Sequence, residues 1–159
     1  MKRYIILIDG SNFYFKLKDI GLHNLQNFDF SRFAAMLIGQ NSKLVSATYY
    51  VGKIKTEGTD KSKMLFIKQQ KLLAKLKSHD FNYSLGQLMK YDGIYHEKGV
   101  DVKIAVDMLA ATYENLCDTI CLVSSDTDLI PAVHKAREKG REVVYVGLSQ
   151  IKVLLSSMF

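Results

Sequence analysis

Apolar residues in this chain fall into short unbroken runs and longer periodic stretches, and the two kinds alternate. Residues 4–8 (Tyr-Ile-Ile-Leu-Ile) are apolar throughout, with β-branched members, and Asp9-Gly10 ends the run. Such a run predicts a strand buried on both faces of a parallel sheet. Residues 44–51, 81–85, 119–123 and 143–146 predict four more strands. Between them lie helical patterns: one from about Ser11, one from Ser31 with that serine as N-cap, and one over 60–77. In the last of these, Leu65, Phe66, Leu72, Leu73 and Leu76 share a face, while Lys68, Lys71 and Lys75 gather at i, i+3 and i+7. A helix from Asp101 to about Tyr113 sets Val102, Ala105, Val106, Leu109 and Tyr113 on one stripe. Another, Asp128 to Glu138, is closed by a basic last turn and Gly140. Gln87 to His96, around Asp92-Gly93, predicts a hairpin or flap. The expected fold is a single-domain, doubly wound α/β structure over residues 1–159, with a mostly parallel five-stranded sheet flanked by helices.

Composition narrows the picture. A hydrophobic fraction of 48% with a single proline excludes a disordered chain. The early apolar run is too short to span a membrane or serve as a signal peptide, so a cytoplasmic protein is expected. Cys117 and Cys121 read as reduced thiols, and His23, His79, His96 and His134 are too scattered to complete a zinc site. The net charge of +6 is uneven, because eight lysines between residues 52 and 80 face only Glu57, Asp60 and Asp80. Such a patch either meets a polyanion or is a solvated helix face.

The acids change the picture most. Ligands of open α/β sheets collect at the carboxyl ends of the strands. Asp9 follows the first strand, Asp126 and Asp128 follow the fourth, and Asp101 opens a helix near the same edge. Close, unpaired carboxylates repel one another, and a hard cation such as Mg²⁺ or Mn²⁺ relieves that repulsion. Each acid alone also has a turn or capping reading, but convergence of four from three separated segments favours a site. Asp107, six residues beyond Asp101, is either a distant ligand or the partner of a lysine or backbone amide outside the site.

The segments Ile6-Leu-Ile-Asp-Gly-Ser-Asn12, Glu97-Lys-Gly-Val-Asp-Val102, Ala105-Val-Asp107, Val123-Ser-Ser-Asp-Thr-Asp-Leu-Ile-Pro131 and Gly140-Arg-Glu-Val-Val144 together resemble a NYN domain. The resemblance is to the LabA-like branch, within the PIN-like nucleases. It implies a metal-dependent ribonuclease that is often dimeric, with Asp9, Asp101, Asp126 and Asp128 as pocket acids and Asp107 commonly retained. It also implies that Asn12 orients metal waters or binds phosphate and that Ser125 hydrogen-bonds within the late loop. The chain departs from the family in reading Ser-Ser-Asp-Thr-Asp-Leu where Gly usually precedes the first acid and Phe follows the second. It also stops before the family's last helix is complete, so the domain reads as truncated.

The expected activity is therefore endoribonucleolytic hydrolysis of RNA. Lys68, Lys71 and Lys75 would hold the strand, Lys98 would meet a phosphate, and Tyr14, Tyr91 or Tyr95 would stack bases. A non-catalytic RNA-binding or regulatory module is the main alternative. A phosphatase or receiver fits less well, because Asp9 is followed by Gly-Ser rather than by the second acid those sites need.

Overall fold

The structure, a computed structural model, describes residues 1–22 and 25–158; His23 therefore lies outside the described residues. Six strands form one sheet: β1 (Lys2–Asp9), β2 (Ser42–Gly52), β3 (Asn82–Tyr91), β4 (Ile94–Lys98), β5 (Thr119–Val123) and β6 (Glu142–Val146). Their order is β4-β3-β2-β1-β5-β6, and every pairing is parallel except β3 with β4. Six helices accompany them: α1 (Gly10–Asp19), α2 (Phe30–Ile38), α3 (Asp60–Ser78), α4 (Val100–Tyr113), α5 (Ile130–Glu138) and α6 (Leu148–Ser156).

The apolar run of β1 sits at the centre because only a fully covered strand can be apolar on both faces. Ile6 and Ile8 face a core built with α1, α2, α3 and α6, whereas Ile5 and Leu7 face a second core under α4 and α5. The first core is aromatic: Phe28 packs against Phe13, Phe30 and Phe33 with centroids 5.0–5.7 Å apart, and Phe30 reaches Phe81 at 5.5 Å. Edge-to-face pairs of this kind add about 0.5–1.5 kcal/mol each beyond burial. Both cysteines are buried and free, and burial pushes the Cys121 thiol up to about 12.

The sixth strand is the return arm of the expected flap. Tyr91 pairs with Ile94, and Asp92 and Gly93 both have positive φ, at 50° and 78°. Those angles make a two-residue turn whose twist suits a hairpin. The segment 148–156, to which the sequence pattern assigned no element, is helical as α6.

Other differences are local. The N-cap of α2 is Asp29, not Ser31: its carboxylate accepts from the Arg32 N–H at 2.9 Å, and His79 Nδ1 accepts from the Phe30 N–H at 3.1 Å. A 3₁₀ turn, Thr127–Leu129, precedes α5. Of the stripe expected to bury α4, Val102, Val106 and Tyr113 are exposed (Val102 61%, Tyr113 59%) and Ala105 packs against the second core; the buried face is Val100, Ile104, Met108 and Ala111. This helix is apolar on both sides, so periodicity alone could not choose. In α3 Leu73 and Leu76 are buried, but Leu65 is exposed. The first half of that helix docks through polar groups: Gln69 donates to the Gly52 carbonyl and accepts from the Ile54 N–H, both at 2.9 Å.

Gly10 is required by space. Its carbonyl accepts from the buried Tyr49 hydroxyl at 3.1 Å, and a methyl on its Cα would overlap the Tyr49 ring and the Tyr50 carbonyl. Gly10→Ala should therefore lower stability by about 1–3 kcal/mol, the usual cost of overpacking. Urea melts of the two proteins check this, and equal midpoints would contradict it.

Candidate functional site

Parallel pairing brings the ends of β1 and β5 together. Ile8 lies opposite Val123, so Asp9 and Ser124 leave the sheet side by side. The Ser124 hydroxyl, fully buried, donates to Asp9 Oδ2 at 3.0 Å and accepts from the Asp126 N–H at 3.0 Å. One residue on, the Ser125 N–H donates to Asn12 Oδ1 at 2.9 Å. Asp9 Oδ1 in turn accepts from the Asn12 N–H at 3.4 Å and caps α1. The segments that follow β1 and β5 are thus laced together by two hydrogen bonds, and one further bond within each segment braces it. Asp126 accepts from the Asp128 N–H at 2.9 Å, which starts the 3₁₀ turn, and Tyr145 donates to its carbonyl at 2.9 Å.

From the other side of this loop comes the first turn of α4. Asp101 there meets Asp126 and Asp128, and one carboxylate oxygen from each lies within 4.8 Å of the others. Such a trio of hard oxygen donors suits a divalent cation, which neutralises charge that would otherwise repel. Asp9 is adjacent but more buried, at 7% exposure. Burial, chiefly, raises its pKa, and the charges of Glu97 and Asp126 add to that; the bonds from Ser124 and Asn12 oppose it.

Asp107 lies outside the three-acid group. Its carboxylate accepts from the Tyr50 hydroxyl at 2.7 Å and pairs with Lys103 at 3.0 Å. Lys98 is on β4, its ammonium 5.7 Å from the Tyr91 ring centroid. Lys68 adjoins Gln69, which ties α3 to the end of β2, and Lys71 and Lys75 lie further along the helix. Lys75 lies six residues beyond Gln69, about 9 Å along the helix axis. Tyr14, Tyr91 and Tyr95 are exposed.

Two site residues escaped the sequence reading. Ser124, rather than Ser125, supplies the hydroxyl that holds the loop; its signal was a small hydroxyl directly after a wholly apolar strand. Glu97 ties the hairpin to the carboxyl edge, accepting from the Gly52 N–H at 3.1 Å and from the Ser11 hydroxyl. Only pairing of β3 with β4 brings it there, although it belongs to the segment that carries the family resemblance.

A mostly parallel α/β sheet with acids gathered at its carboxyl edge is the arrangement expected of a PIN-like domain. The chain belongs to the NYN domain family, which it matches over residues 3–157, and NYN domains are members of the PIN-like nuclease superfamily. The LabA-like branch is compatible with that match. The fold is similar to that of a crystal structure of a protein of unknown function from Vibrio parahaemolyticus, with a TM-score of 0.62 and 23% identity, covering 92% of this chain and 81% of that one. An uncharacterized protein of Methanocaldococcus jannaschii is 42% identical over 48 residues, which are 30% of this chain and 20% of that relative. These matches give no support to a homodimer. No helix among the described residues is long and apolar enough to cross a membrane.

The buried Asp9 sets a pH dependence. Its folded pKa is raised above the unfolded value, so its contribution to stability is complete below the unfolded value and is lost as pH climbs through the folded one. Asp9→Asn keeps a neutral group there at every pH. In EDTA, the variant should therefore gain stability relative to the parent as pH rises from about 3 through the carboxylate range. Urea melts across that range test it; a difference that is flat or falls with pH would contradict it.

Proposed function

We propose that this chain is a cytosolic, metal-dependent endoribonuclease that hydrolyses RNA phosphodiester bonds. The observation that carries the reading is the convergence of Asp101, Asp126 and Asp128, from two separate segments, within 4.8 Å. These three would hold Mg²⁺ or Mn²⁺, with Asp9 beside them. Such an ion, when bound, acts as a Lewis acid on phosphoryl oxygens and lowers the pKa of water. The chain's own residues do the positioning. Ser124 and Asn12 hold the loop that carries Asp126 and Asp128, and Glu97 anchors the hairpin next to Asp9. Asp107, engaged by Tyr50 and Lys103, braces α4 rather than holding the ion. RNA as the substrate is supported by the family resemblance and by the +6 net charge, which favours a polyanion.

Incubation of mixed RNAs with the protein and Mn²⁺ should give cleavage that EDTA stops. Asp126→Asn should abolish it while leaving the metal-free melting temperature unchanged or slightly raised, since one repelling charge is gone. Mn²⁺ should also stabilise the parent protein by about 2.7 kcal/mol at a hundredfold excess over its dissociation constant, because it binds only the folded site. Full activity of Asp126→Asn with unchanged metal dependence would rule out the assignment. RNA binding without cleavage would instead mark a non-catalytic module.

The lysines of α3 give a second test. If Lys68, Lys71 and Lys75 touch phosphates, replacing all three by glutamine should weaken RNA binding and reduce the slope of log affinity against log salt by about 0.7 per lost contact. An unchanged slope would make that face merely solvated.

A further inference from the structure

A groove of about 430 Å³ opens between the hairpin and α4, lined among others by Tyr50, Ser84, Gly86, Gln87, Lys98 and Lys103. It lies round the first turn of α4 from the three acids, for Lys103 is two residues beyond Asp101 on that turn. Its volume is at the small end of ligand sites and suits one nucleotide rather than a base pair with both its strands. The lining is more apolar than polar, with Leu85 and Val100 in it; Ser84 and Gln87 offer a hydroxyl and an amide, while Lys103 is neutralised by Asp107 at 3.0 Å. Lys98, the other cation of the lining, has no carboxylate within salt-bridge distance among the described residues.

The hairpin above the groove has two unlike faces. Strand alternation puts Leu88, Lys90, Tyr95 and Glu97 on one of them. That face is already engaged, with Lys90 3.8 Å from Glu57 and Glu97 bonded to Gly52 and Ser11. Gln87, Met89 and Tyr91 share the other face with Ile94, His96 and Lys98. The groove lining contains Gln87 and Lys98, so this second face is the one above it. Tyr91 there is half exposed, with its ring 5.7 Å from that of His96 and 5.7 Å from the Lys98 ammonium. A flat ring beside a free cation, open to solvent and next to a nucleotide-sized groove, matches what an unstacked base and its phosphate need.

We propose that this hairpin face and the groove at its base bind an unpaired stretch of the nucleic-acid substrate. One nucleotide sits in the groove beside Asp101, and the neighbouring base stacks on Tyr91 and His96 with its phosphate on Lys98. The inference rests on the nuclease reading and adds to it a path for the strand, over the hairpin face and distinct from the α3 lysines.

The test uses Asp126→Asn protein, so that binding is read without cleavage, and a fluorescent single-stranded oligouridylate beside a duplex RNA of equal length. The single strand should bind more tightly than the duplex. Tyr91→Ala should weaken single-strand binding about tenfold, in line with the loss of one base stack. Lys98→Gln should reduce the salt slope by about 0.7. Both residues are exposed, and unchanged melting temperatures of the variants would show that the fold is retained. Duplex bound as tightly as single strand, or both variants binding like their parent, would overturn the inference, even where the parent enzyme cuts RNA and the nuclease reading stands. Failure of every oligonucleotide to bind would overturn it as well, and the Mn²⁺ cleavage assay would then decide separately whether the nuclease reading falls too.

Discussion

The parallel pairing of β1 with β5 is the constraint on which the rest of the carboxyl edge depends. With Ile8 opposite Val123, the residues leaving the two strands, Asp9 and Ser124, have nowhere to go but against each other. Ser124 is buried, so its hydroxyl must be satisfied by protein, and Asp9 and the Asp126 N–H are its partners. The loop carrying Asp126 and Asp128 inherits its path from that requirement. A one-residue slip between these strands would move Ile5, Ile6, Leu7 and Ile8 to the wrong cores and separate the acids in the same stroke.

Burial divides the acids into two kinds. Asp9, capping α1 and enclosed by the two strand ends, feels desolvation most strongly. Asp101, Asp126 and Asp128 are more open, and proximity to one another is what characterises them. The proposed activity draws on both properties: accessible oxygens for a cation and a rigid floor beneath them. Gly10 belongs to the floor, since the Tyr49 ring occupies the space that a side chain there would need.

The hairpin and α4 enclose the open side of the edge. Val100 packs over Gly86, Glu97 reaches the end of β2, and Asp107 is locked by Tyr50 and Lys103. These contacts hold the first turn of α4, and therefore Asp101, at a set distance from the loop after β5. The acids that converge are consequently placed by three elements of different kinds: a strand end, a loop and a helix start.

By itself, the sequence determined the central strands, because runs such as 4–8 and 119–123 are apolar on both faces and only a covered sheet satisfies that. It determined the Asp92-Gly93 hairpin through turn chemistry, and it placed Asp9, Asp126 and Asp128 at one edge, because strand ends in a parallel sheet share a side, with Asp101 near them because the hairpin returns the chain to that edge. Tertiary structure alone decided which face of α4 is buried, since Val102 and Ile104 are equally apolar and only packing against the sheet separates them. It decided that Asp29 and His79, far apart in the chain, jointly cap α2. It also decided the roles of Glu97, Ser124 and Asp107, whose partners lie 45, 115 and 57 residues away in the chain. Local pattern reports a residue's own backbone preference and polarity, whereas these roles arise from which neighbours the fold supplies.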